Sequence, residues 1–276
     1  MWHDFTTDEG GDAVDFFRRA TGLSQKDACR KFVELAGGHF PPSPPPPRPQ
    51  RAIAKPKPIF PDFNMGRAAD LQQLADLRNL SNEGLELARE RDLLRFATIK
   101  DCPAWIVTDA ARWNAQARRL DGLPWEHLEA HPKAYTLPGS AAAWPIGIAS
   151  AQPFPIIALC EGGPDLLAAF HFIYCESREQ HCSAVTMLGA AHHIHLDALP
   201  LFAGKRVRIF GHDDEAGRAA VERWGAQLAS AGADVDTFNF EGLWRVDGEP
   251  VKDLNDCTSI HADDFESERI LWGVMP

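Results

Sequence analysis

The chain has no apolar run that approaches the roughly 20 residues needed to span a bilayer. Its opening, Met1-Trp2-His3-Asp4-Phe5, lacks the basic start and apolar centre of a signal peptide. Both absences lead us to expect a soluble, cytoplasmic protein. The six cysteines (Cys29, Cys102, Cys160, Cys175, Cys182 and Cys257) form no CxxC pair, which excludes a zinc ribbon or redox motif of that form. Scattered buried thiols in a reducing compartment are expected instead. Positive charge is scarce: 28 Lys and Arg stand against 39 Asp and Glu, for a net charge of -11. Gripping a nucleic-acid backbone needs local basic surface, so any such contact must be confined to a basic groove. No GxxxxGKS/T motif is present, so P-loop-driven unwinding would have to come from another chain. No internal repeat is visible.

What is there begins with an apolar fraction of 45%, enough for a sizeable core. Residues 10–36 carry apolar positions at helical spacing, broken at Thr21-Gly22-Leu23-Ser24, with Ser24 capping a second helix from Gln25 to Leu35. This predicts a small helical hairpin over 1–40. Residues 41–61 include Pro44-Pro45-Pro46-Pro47 and interspersed basic residues, the composition of an extended tether. Residues 67–96 show a leucine pattern that predicts one or two helices. Ala104–Thr108 and Pro145–Ile148 are expected as strands, in a mixed α+β segment over 62–150. From about 154 the pattern alternates. Strands are expected at 155–160, 184–188, 206–210 and 234–238, and helices at 165–174, 196–202 and 215–231. Such alternation predicts an α/β fold over 151–276, a parallel sheet with helices on both faces.

Two of these strands end in acids. Ala158-Leu159-Cys160-Glu161-Gly162-Gly163-Pro164-Asp165 and Val207-Arg208-Ile209-Phe210-Gly211-His212-Asp213-Asp214-Glu215-Ala216-Gly217 each run apolar, stop at carboxylates, and turn through glycine into a helix. A carboxylate at the end of a buried parallel strand lies at the sheet's carboxyl edge, where α/β proteins bind ligands. Acids gathered there repel one another unless a cation sits between them, and a divalent metal is the usual solution. Acids at helix starts also cap free amides, a structural alternative for Asp165, Asp213 and Asp214.

The segment from about 154 to 260 resembles the Toprim domain shared by bacterial-type primases, type IA and type II topoisomerases and some nucleases. Glu161-Gly162-Gly163-Pro164-Asp165 resembles its glutamate motif, and His212–Arg218 its DxD motif in the primase version that runs into Ala-Gly and a helix. Lys252-Asp253-Leu254-Asn255-Asp256 is similar to the acidic motif that follows in primase-type members. The resemblance implies Glu161 and Asp214 as catalytic residues, and Glu161, Asp165, Asp213, Asp214 and Asp253 as ligands of Mg2+ or Mn2+. Counted back from Ala216-Gly217, the first DxD position is His212, and Asp213 stands one residue late. Histidine ligates metals, but magnesium prefers oxygen.

Residues 1–24 resemble the end of a primase zinc-binding module. Its zinc ligands would lie upstream of residue 1, so no zinc is expected in this chain. Thr108-Asp109 through Gly122, with Lys133 and Leu137-Pro138-Gly139-Ser140, resembles the segment before Toprim in plasmid and phage primases. Arg118 and Lys133 there, and Lys205 and Lys252 beside the acidic motifs, are candidates for nucleotide or nucleic-acid phosphates. Charge balance is the other reading of the two lysines. The resemblance implies primer synthesis on single-stranded DNA from ribonucleoside triphosphates, with a replicative helicase as a partner. A Toprim nuclease and a non-catalytic replication accessory protein remain as alternatives. The only tyrosines, Tyr135 and Tyr174, stand in no recognisable nucleophile context, which argues against a self-contained topoisomerase.

Overall fold

The computed structural model describes residues 2–4, 9–36 and 59–260. Most of the proline-rich stretch (41–58) and the end of the 151–276 segment (261–276) lie outside the described residues. The chain divides into two compact units, Met1–Lys55 and Pro56–Pro276.

In the first unit, β1 (Trp2–Asp4) pairs antiparallel with β2 (Glu9–Gly11), ahead of helices α1 (Ala13–Thr21) and α2 (Gln25–Leu35). Asp12 caps α1 by accepting the N–H groups of Val14 and Asp15, and Gly22 ends it in the left-handed conformation (φ 68°). The expected hairpin is therefore present, with a small β-ribbon that the sequence pattern did not announce. Of its helical residues only Ala28 is buried, and Trp2 meets Phe16, and Phe17 meets Phe32, edge to face.

The second unit begins with α3 (Ala68–Arg78) and α4 (Asn82–Glu90), followed by an antiparallel meander. Its strands are β3 (Leu94–Ile99), β4 (Cys102–Thr108), β5 (Ala115–Arg119) and β6 (Tyr135–Thr136), in that order across the sheet. The leucine pattern of 67–96 thus ends earlier than expected. Leu94 and Phe96 alternate as strand residues, both buried on one face, once the chain has turned through Asp92 at φ 64°. The strand expected at 145–148 reduces to one antiparallel bridge between Ile146 and Thr186, because Gly147 adopts φ 92° and bends the chain away.

The parallel half follows as β7 (Ile156–Cys160), α5 (Gly163–Cys175), β8 (Cys182–Thr186), a 3-10 turn (Leu199–Phe202), β9 (Arg206–Phe210), α6 (Glu215–Ser230) and β10 (Asp234–Thr237). The strands lie in the order β10-β9-β7-β8, all parallel. This is the α/β fold expected from the alternation, a parallel sheet flanked by helices.

Strand β7 shows why. All five of its residues are buried, and successive side chains point to opposite faces. Ile156, Ala158 and Cys160 join a core with α5, while Ile157 and Leu159 join a second core with Ala220, Trp224 and Leu228 of α6. The first core also takes Trp105 and Val107 from β4, Leu94 and Phe96 from β3, and Leu71, Leu74 and Leu85 from α3 and α4. One face of the antiparallel sheet is therefore packed onto the parallel half. Its other face builds a separate core around Ile106, Ala117 and Trp125. Among the described residues no helix is long and apolar enough to cross a membrane.

Candidate metal and nucleotide site

After β7 the chain crosses through α5 to β8 on one side, and β9 lies on the other. The strand order reverses between β7 and β9, a reversal that in open α/β sheets marks a ligand-binding crevice outside the strands' carboxyl ends. Glu161 follows β7 and His212 follows β9, so the two residues face each other across that crevice. Both oxygens of Glu161 are turned to His212: Oε2 accepts the His212 backbone N–H at 3.1 Å, and Oε1 lies 3.5 Å from Nδ1. Nε2 of the same ring lies 3.0 Å from Asp165 Oδ2. Asp165 projects from the first turn of α5 and is 2% exposed; its Oδ1 accepts the Asn255 N–H at 3.2 Å. Asp253 completes the group, with its Oδ1 accepting the Asp256 N–H at 2.8 Å ahead of a 3-10 turn (Asp256–Ser259). One ligand atom each from Asp165, His212 and Asp253 lie within 4.8 Å of one another.

The loop after β9 is tied to the Asp253 segment, because the Asp213 N–H donates to the Lys252 carbonyl at 2.7 Å. Gly217 permits the turn. A Cβ there would fall onto the His212 carbonyl, so only glycine lets α6 start this close to the His212 backbone.

Among the other sequence candidates, Asp214 is the N-cap of α6, its Oδ1 accepting the Gly217 N–H at 2.7 Å. Its charge still reaches Glu161. Asp213 points outward to Arg218 at 2.9 Å, with both side chains exposed, and does not join the cluster. Lys205 lies just before β9, at the opposite end of the sheet, with its ammonium donating to the carbonyls of Gln152 and Phe154 at 2.8 Å each. Five residues of strand put about 17 Å between that end and His212. Lys252 is exposed beside Asp253, and Lys133 is exposed on the loop before β6. Among the described residues, His192, His193 and His195 enter no group of three ligands.

Arg118 is brought close. On β5 it stands directly opposite Trp105, hence on the sheet face that packs toward α5. Arg78, the last residue of α3, joins it. Its guanidinium lies over the Trp105 ring at 5.8 Å, and both arginines feel the charges of Asp165 and Asp253. The Nε of each is buried with no hydrogen-bond partner. Sequence reasoning missed Arg78, since a basic residue in the last turn of a helix is ordinary complementation of the helix dipole. Nothing local marks it.

Burial and crowding set the charges of the cluster. Desolvation pushes the Glu161 carboxyl up, with the charges of Asp165 and Asp214 adding to it and His212 offsetting it. Desolvation, then the charge of Asp165, raises Asp253 to about 6. Burial opposes the charged form of His212. The hydrogen bond to Asp165 and the charges of Asp165, Glu161 and Asp253 outweigh it and leave His212 at about 9. Burial, with the neighbouring Arg78 charge, lowers Arg118 to about 10. Three carboxylates, one imidazole and two under-partnered guanidiniums thus share one crevice. Such a set can hold a divalent cation beside an anion.

No protein-family model matches the sequence, and no curated protein matches it. Among solved structures, the chain is similar to the primase fragment of the bacteriophage T7 primase-helicase protein, with a TM-score of 0.46 and 17% identity over 72% of this chain and 73% of that one. A chain from the bacteriophage T7 lagging-strand DNA polymerase interacting with primase domains bound to an RNA/DNA hybrid and dTTP gives 0.44 and 18%, over 73% and 91%. The zinc-binding and RNA polymerase domains of the Aquifex aeolicus primase give 0.43 and 16%, over 83% and 64%. Overlap this loose leaves function to the chemistry of the site residues.

Proposed function

We propose that the chain is a Toprim-type, primase-like nucleotidyltransferase that builds RNA primers on single-stranded DNA. It would serve in the cytoplasm in the replication of a plasmid, phage or mobile element, with a helicase supplied by another chain. The observation that carries this reading is the meeting of Glu161, Asp165 and Asp253 around His212 at the carboxyl edge between β7 and β9. The donor set fits a divalent cation, Mg2+ or Mn2+. Burial, and after it the charges of their acidic neighbours, hold the carboxyls of buried Glu161 and half-buried Asp253 above their ordinary range, and a cation beside them would relieve both.

Such a cation, when bound, lowers the pKa of an attacking hydroxyl and neutralises charge at the transferring phosphate. Asp165, His212 and Asp253 would hold it. Glu161 would orient His212 or take the proton from the attacking 3′-hydroxyl, a role its raised pKa suits. Arg78 and Arg118 present buried N–H donors beside the acids, where the phosphates of a nucleoside triphosphate would lie. Asp214 would act by its charge on Glu161 while capping α6, and Lys252 would offer an exposed cation at the rim.

The test is primer synthesis on single-stranded DNA with labelled ribonucleotides and Mg2+ or Mn2+, comparing wild type with Glu161→Gln, Asp253→Asn and Arg118→Ala. Short RNA products lost in the two carboxylate variants and reduced about 100-fold by Arg118→Ala support the proposal. Cleavage of the template without new RNA would move the assignment to a nuclease. An unchanged template, with helicase present, would leave an accessory protein.

A further inference from the structure

The cation that the proposed function requires is selected by its donors, and one of these is nitrogen. Asp165 and Asp253 contribute oxygen, while the third atom of the group is His212 Nε2. The 3.0 Å between Nε2 and Asp165 Oδ2 suits a hydrogen bond. It is also close enough for both atoms to reach one ion, together with an oxygen of Asp253. The rest of the ring is arranged as for a ligand. Nδ1 faces Glu161 Oε1 at 3.5 Å, and Glu161 is fixed in place by accepting the His212 backbone N–H through its other oxygen. A carboxylate on the far nitrogen is the usual way in which proteins hold the orientation of a metal-binding imidazole, and the near nitrogen, which shares a proton with Asp165 when no ion is bound, would release that proton to take the ion. Asp165 is braced in the same manner, its Oδ1 held by the Asn255 N–H so that Oδ2 turns to the cluster.

We propose, resting on that reading of the site, that Asp165, His212 and Asp253 form a two-carboxylate, one-imidazole site selective for Mn2+ over Mg2+. Glu161 is its positioning residue, acting on the metal through His212. Magnesium prefers an all-oxygen octahedron and gains little from imidazole, whereas first-row transition ions accept it, and Mn2+ also accepts carboxylate-rich shells. Three protein ligands leave positions open for phosphate oxygens and water. Asp213, directed to Arg218, takes no part.

The experiment uses the full chain and reads the metal itself. Mn2+ binding is followed by its electron paramagnetic resonance signal, nitrogen coupling by pulsed resonance, and Mg2+ enters as a competitor. Wild type is expected to bind one Mn2+ with imidazole nitrogen coupling and to need a Mg2+ excess of about 100-fold for displacement. His212→Asp should lose the coupling and move the preference towards Mg2+ by about tenfold or more. Glu161→Gln should keep one Mn2+ and weaken it about 10- to 100-fold, with an altered coupling. Absence of nitrogen coupling in the wild type overturns the proposal, a result that needs no variant to fold. Displacement by equimolar Mg2+ overturns it too. Primer synthesis supported equally by both ions would refute this selectivity and leave the primase reading standing. A nitrogen-coupled Mn2+ without primer synthesis would do the reverse.

Discussion

His212 and Asp214 show how a position's place in a motif and its place in space part company. By count, one takes the first acid position of the DxD and the other the second. In the fold, the ring stands between Glu161 and Asp165, while Asp214 spends an oxygen on the first turn of α6. Two other residues carry predictions at this scale. Arg91 of the α4–β3 connection donates to the carbonyls of Cys182 and Glu179 at 2.7 Å each and lies 4.1 Å over the Phe154 ring. Replacing it by alanine leaves two part-buried carbonyls short of a charged donor. A loss of about 3 kcal/mol in urea unfolding is expected, only partly restored by lysine, which cannot reach both carbonyls. His171 accepts the Ser81 N–H on Nδ1 at 3.0 Å, and burial holds its pKa below the ordinary 6.5. The unfolded chain therefore takes up this proton first. The contribution of His171 is fully present above pH 6.5 and is lost as pH falls through its lower folded value, at up to about 1.4 kcal/mol per pH unit. His171→Gln should flatten that part of the stability profile below pH 6.5.

At the scale of elements, helix starts decide how the site is built. The N-cap role of Asp214 predicts that Asp214→Ala lowers thermal stability by about 1 kcal/mol. Asp214→Asn, which keeps a capping oxygen, should stay within about 0.5 kcal/mol of wild type by calorimetry. Equal losses in both variants would show that the charge, not the cap, is what matters. Close helix packing sets a second test. A Cβ on Gly84 of α4 would lie 2.6 Å from the His171 Cα on α5, so the two helices must part to admit it. Gly84→Ala is expected to cost about 2 kcal/mol and to expose the Ser81–His171 bond to faster hydrogen exchange. Most elements of the parallel half were legible, because five-residue apolar runs ending in acid and glycine have few other readings. β3 was not. Leu93 and Leu94 continue a leucine spacing begun in α4, and only the turn at Asp92 separates them.

At the scale of the whole molecule, one core joins the antiparallel and parallel sheets, so occupancy of the crevice should be felt throughout residues 59–260. Mn2+ at about 100 times its Kd is expected to stabilise the protein by about 2.7 kcal/mol. In a unit of this size that is roughly a 5–10 °C rise in melting temperature, reversed by chelation. A melting curve indifferent to metal and chelator would count against a site in the native state. The net charge of -11 adds a second expectation. Single-stranded DNA should bind weakly to the chain alone and with a shallow salt dependence, because few basic groups are available to displace counterions.

Local sequence dictates the alternation that makes the parallel sheet, and the acids that end β7 and β9. Both are local consequences of apolar runs meeting charge and glycine. It also determined the caps at Asp12, Ser24 and Asp214, whose partners lie within three residues. Which acids meet depends on long-range packing. Asp213 and Asp214 are neighbours of like kind, yet Asp213, its N–H held by the Lys252 carbonyl, pairs with Arg218, while Asp214 caps α6. Lys205 lies seven positions from His212 and stands at the wrong edge of the sheet, while Arg78 and Arg118 arrive from other elements. Strand direction and core packing fix those relations, and neither acts between neighbours in the chain.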